Sequence, residues 1–141
     1  MPPWEQGRDP RGARSRAAAT TAGFTVRLGW GMTAAQLLSP SSDVVVVVDV
    51  ITFSTAVSVA VDRGCTVHPH AWDPDSARLL ADRVGASLAV ARSQVDASHP
   101  YSLSPATLNR APGGAAIVLP SPNGSALAAE LAGGGATVVA G

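Results

Sequence analysis

Five consecutive valines occupy positions 44–48 and run directly into a carboxylate, Asp49. Branching at Cβ stiffens each valine and crowds a helical turn, so "DVVVVVDV" (43–50) commits to a strand. Apolar side chains on both sides of that strand predict a central, parallel position with cover on two faces.

The segments around it fit the same scheme. "FTVRL" (24–28) reads as a first strand, and "MTAAQLL" (32–38) as a short helix stopped by Pro40. "STAVSVAVDRG" (54–64) predicts a helix that Ser54 or Thr55 caps and Gly64 closes. "CTVHPH" (65–70) and "ASLAV" (86–90) read as strands flanking a helix over "DPDSARLLADRVG" (73–85), with Asp73 as cap and Pro74 in its first turn. A polar loop then covers 92–114, with one helical turn between Ser104 and Arg110. "AAIVLP" (115–120), "NGSALAAELAGG" (123–134) and "ATVVAG" (136–141) predict strand, helix and strand. Strands alternating with helices define an α/β fold: a mostly parallel sheet with flanking helices, three-layered and Rossmann-like. The last strand has no helix after it, so the expectation is an incomplete domain, one sheet face being less covered than its apolar pattern requires.

Of the 141 residues, 23–141 form this one domain, and 1–22 read as a disordered leader holding four arginines among Pro, Gly and Ala. The leader contains no apolar core of a secretory signal, and no run of the sequence is long and apolar enough for a membrane span. A net charge of zero gives no long-range attraction to nucleic acid or to an anionic membrane. Cys65 is the single cysteine, which excludes an internal disulfide and a cysteine-based zinc cluster and suits a reducing cytoplasm.

Ligands of open parallel sheets sit beyond the carboxyl ends of the strands. Asp49 falls at such an end, and Ser54 and Thr55 follow it at the start of a helix, where free backbone N–H groups and the positive dipole end receive anions. Asn123, Gly124 and Ser125 repeat the arrangement after another strand, Gly124 allowing close backbone approach. Two anion-receptive helix starts with one carboxylate point to a phosphorylated small molecule, with Asp49 at a divalent metal or acting as nucleophile. Against this stand two plainer readings: ordinary capping at each helix start, and a satisfied, structural Asp49.

Three stretches carry a family resemblance. "VVVDVITFSTAVSVAVDRGC" (46–65), "ARSQVDASHPYSLSPATL" (91–108) and "VLPSPNGSALA" (118–128) resemble, in order, segments of the 2-phosphosulfolactate phosphatase (ComB-like) family. The likeness spans roughly 24–141 and implies a Mg²⁺-dependent phosphatase that releases sulfolactate and phosphate from 2-phospho-3-sulfolactate in coenzyme M biosynthesis. It implies Asp49 at metal and phosphate, Arg92 as an anion-binding catalytic arginine, and Ser54, Thr55, Asn123, Gly124 and Ser125 around the phosphate. Partners would be a small phosphorylated acid and a second copy of the chain in a homo-oligomer. The family pattern is broken at Thr52 and Ala126, where arginines are usual, and at Ala91, where an acid is usual. Family members also extend about a hundred residues further.

Lesser features complete the reading. His68 and His70 share a strand face and are compatible with a metal pair, though no third ligand is evident. His99 is either a general acid or a solvated loop residue, and Trp30 either walls the ligand edge or packs. A haloacid-dehalogenase-type site would need a second acid where Ile51 stands. The remaining alternative is a truncated or degenerate domain that binds an anion or a partner without turnover.

Overall fold

A computed structural model describes residues 23–141, so the expected leader over 1–22 lies outside the described residues. In chain order the elements are α1 (Gly31–Leu38), β1 (Val44–Val47), α2 (Phe53–Asp62), β2 (Thr66–His70) and α3 (Pro74–Val84). They continue with β3 (Ser87–Leu88), α4 (Pro105–Leu108), β4 (Ala116–Pro120), α5 (Gly124–Leu131) and β5 (Thr137–Ala140). All ladders are parallel and helices flank them, which makes the fold α/β. The strands divide into two sheets among the described residues, β1–β5 and β2–β4–β3, and α5 touches strands of both.

β4 shows how the layers form. Successive strand residues face opposite sides, and Ile117 and Leu119 enter a core with Phe53 of α2 and Leu108 of α4. Val118 points the other way, onto Ala77 and Ala81 of α3. Both alanines lie on one helical face, and their small side chains let α3 approach the sheet closely. Ile117, Val118 and Leu119 are wholly buried, each worth roughly 1.5–3 kcal/mol on burial.

The central strand is therefore β4, not the valine run. β1 pairs only with β5 among the described residues, and Val44 and Val46 are each 55% exposed. A ladder position is fixed by partners distant in sequence, which five valines do not encode. "FTVRL" is likewise not a strand: the segment is irregular, and Phe24, Val26 and Leu28 are exposed. It is held instead by the Arg27 guanidinium, which donates to Ser41 Oγ and Ser42 Oγ, both at 2.7 Å, and to the Ser41 carbonyl. Extended backbone becomes a strand only with a partner, and here none adjoins it among the described residues.

Capping follows the sequence closely in α3. Asp73 accepts from the Asp75 N–H at 3.3 Å, Pro74 opens the helix, and Gly85 closes it in the left-handed region at φ 66°. No helix among the described residues is long and apolar enough to cross a membrane.

Candidate functional site

The chain leaves β1 at Val47 and turns through 48–52 into α2, and Ser54 organises that turn. Its buried Oγ donates to the Val47 carbonyl at 3.1 Å and accepts the Asp49 N–H at 3.0 Å. The Asp49 carbonyl in turn accepts the Ser54 N–H at 2.8 Å. Thr55, exposed on the next helical position, donates from Oγ1 to the Val50 carbonyl at 2.9 Å. Both hydroxyls expected at the phosphate thus serve the backbone of the turn that aims Asp49.

Asp49 itself is half-buried and reaches across the fold. Its Oδ2 accepts the Gly124 N–H at 2.9 Å, a contact between residues 75 apart in sequence. Gly124 is the first residue of α5, so a carboxylate from the end of β1 caps a helix that follows β4. Negative charge at a helix N-terminus is electrostatically favoured. The next amide, of Ser125, donates to Ser121 Oγ at 3.0 Å. Asn123 occupies the cap position but makes no side-chain cap bond.

Ser125 Oγ stands out within this cluster, as a fully buried hydroxyl with no hydrogen-bond partner among the described residues. Burying a hydroxyl without a partner is costly, and most such groups are satisfied. Gly124 has a packing reason of its own: a Cβ there would collide with Phe53, whose Cβ would lie 2.6 Å away. The glycine is required by close approach of α2 and α5, independently of any ligand.

Asp49, Ser54, Gly124 and Ser125 therefore converge through the β1–α2 turn and the start of α5. Arg92 does not join them through any hydrogen bond or ion pair among the described residues; it is exposed, in a single 3₁₀ turn after β3. Trp30, 93% exposed at the start of α1, neither walls this cluster nor packs. His70 Nδ1 lies 2.8 Å from the Ala71 carbonyl, and no group of three metal-ligating side chains occurs among the described residues. Magnesium is commonly held by only one or two carboxylates, with waters and substrate phosphate completing its shell. Asp49 fits that minimal mode, because Oδ2 is engaged by Gly124 while Oδ1 accepts no hydrogen bond among the described residues.

A second concavity lies at the carboxyl ends of the strands of the β2–β4–β3 sheet and is lined by none of these residues. About 460 Å³ in volume, it opens between the start of α3, the ends of β3 and β4, and the loop through His99. His99 stands there beside Asp96, Nδ1 to Oδ1 3.3 Å, and not beside Asp49. Sequence reasoning missed this cavity because its walls come from three separate crossovers. The one local signal was the clustering of Trp72, Asp73 and Arg78 around a helix start at a strand end. Comparisons with protein-family models, with curated proteins and with solved structures found no match to this chain.

Proposed function

We propose that the chain is a phosphoric monoester hydrolase domain of the 2-phosphosulfolactate phosphatase type, acting with Mg²⁺ on a small acidic phosphomonoester such as 2-phospho-3-sulfolactate. The observation that carries this reading is the meeting of Asp49 with the N-terminus of α5 beside the orphaned Ser125 hydroxyl. The positive end of α5 favours an anionic group at this place, and the buried Ser125 Oγ beside it is a hydroxyl without a partner among the described residues. Ser54 holds the Asp49 backbone so that the carboxylate keeps its aim, and Asp49 Oδ1 is the oxygen this reading gives to the metal. Bound there, magnesium would neutralise charge developing on the transferred phosphoryl group. Arg92 is assigned the remaining anion contact, being exposed and without an ion-pair partner among the described residues. A cytoplasmic setting belongs to the proposal and is supported by the free thiol of Cys65. So does a homo-oligomer, supported by the exposed valines of β1 and β5.

A non-catalytic reading is favoured by a different observation: Asp49, Ser54 and Thr55 each already satisfy backbone groups. On that account the cluster is a structural clasp that binds an anion or a partner without turnover. Phosphate release from a panel of phosphomonoesters, with and without Mg²⁺, separates the two. Metal-dependent release abolished in Asp49→Asn supports the hydrolase, and silence from a folded chain supports the clasp.

A further inference from the structure

The cavity at the ends of β3 and β4 has the make-up of a small-molecule site. Its volume of about 460 Å³ lies within the roughly 300–1,000 Å³ usual for such sites. Trp72, Leu88, Val90 and Pro120 give it an apolar wall, and Arg78, Gln94 and His99 stand among them as polar groups. It lies beyond the carboxyl ends of parallel strands, where open α/β sheets take their ligands.

The charges decide which ligand. Two carboxylates border the cavity, and both are engaged. Asp73 accepts from the Asp75 N–H at 3.3 Å and from Ser76 Oγ at 2.5 Å. Asp96 Oδ1 accepts the Ser98 N–H at 2.8 Å and the His99 N–H at 2.7 Å, with His99 Nδ1 at 3.3 Å. Arg78, on the first turns of α3, has neither hydrogen bond nor ion pair among the described residues. It also borders an adjoining cavity of about 270 Å³, so its guanidinium has free space around it. Arg78 can pair directly with one carboxylate, while the charges that Asp73 and Asp96 retain disfavour any further negative charge beside it. A guanidinium fork matches the two oxygens of a carboxylate, and the apolar wall matches a hydrocarbon body.

We infer that this cavity binds a small organic monocarboxylate with an apolar body, its carboxylate on Arg78 and its body against Trp72, Leu88, Val90 and Pro120. The inference stands apart from the hydrolase reading, since none of the residues proposed there lines the cavity.

Phenylacetate is a suitable probe, with phenylacetamide as its neutral counterpart and phenyl phosphate as its dianionic one. Titrated into the ¹⁵N-labelled full chain, millimolar phenylacetate is expected to shift the Trp72 indole N–H and the Val90 and His99 amides together. Arg78→Gln, at an exposed helical position, is expected to weaken that binding about tenfold, the loss of one charge-assisted pair. In the wild-type chain phenylacetamide and phenyl phosphate should both bind more weakly by a similar factor, a comparison that needs no folded variant. Absence of shifts at these residues, equal binding by Arg78→Gln, or phenylacetamide or phenyl phosphate binding as well as phenylacetate would each overturn the proposal.

Discussion

Removing the Asp49 carboxylate should destabilise the whole domain, because that group joins the end of β1 to the start of α5. Its bond to the Gly124 N–H is charge-assisted, worth about 1.5–3 kcal/mol when truncation leaves the buried donor unpaired. The favourable position at the helix N-terminus adds about 0.3–1 kcal/mol, reduced by salt. Asp49→Ala should therefore cost about 2–4 kcal/mol in urea-unfolding free energy, with an unchanged denaturant slope. Asp49→Asn keeps an acceptor oxygen of the same reach and loses only the charge, so it should cost about 1 kcal/mol. The α5 amides of Asp49→Ala should also exchange faster than those of the rest of the core. A change within about 0.5 kcal/mol for Asp49→Ala, the range of an unremarkable surface substitution, would refute the stabilising contact between Asp49 and α5.

Further expectations follow from the same geometry. Gly124→Ala forces a methyl against Phe53 and should cost about 1–3 kcal/mol by overpacking, while Phe53→Leu in the same chain should recover part of that loss. Ser54→Ala strips the Asp49 N–H and the Val47 carbonyl of their shared partner and should cost about 1–3 kcal/mol in urea unfolding; a neutral result would mean that water replaces the hydroxyl. The His99 N–H, foremost, holds the Asp96 carboxyl below the ordinary aspartate value of 3.8, helped by the Ser98 N–H and the His99 side chain. A depressed folded pKa means that this turn's contribution is complete above that value and is lost as pH falls through the lower, folded one. The Ser98 and His99 amide shifts should accordingly titrate with a midpoint below 3.8, and a midpoint at or above it would contradict the assignment.

The helices were largely legible because their signals are local, although α2 starts at Phe53 with Thr52, not Ser54 or Thr55, in its cap position. Asp73, Pro74 and Gly85 mark both ends of α3, and the structure uses each as the sequence suggests. Strand rank was not legible. "VVVVV" and "AIVLP" are both short apolar runs, and only pairing with β2 and β3 makes the second central. The exposed alternation of Phe24, Val26 and Leu28 illustrates the same limit, since a strand pattern cannot announce a missing ladder. Within the candidate site, the strand–helix alternation puts both Asp49 and Gly124 at the carboxyl ends of parallel strands. That each satisfies the other was not visible, because it depends on a contact between residues 75 apart. No hydrogen bond or ion pair ties Arg92 to the cluster among the described residues, and a single 3₁₀ turn carries no sequence periodicity from which its direction can be read.

The central claim, that the Asp49–α5 cluster performs phosphoryl chemistry, is tested most directly by phosphate release from 2-phospho-3-sulfolactate and related phosphomonoesters. The full chain and Asp49→Asn should be assayed in parallel, each with and without Mg²⁺, after urea unfolding has shown the variant folded. The account predicts magnesium-dependent release by the wild-type chain and its loss in the variant. No release from folded wild-type chain, or release that survives Asp49→Asn undiminished, would contradict it.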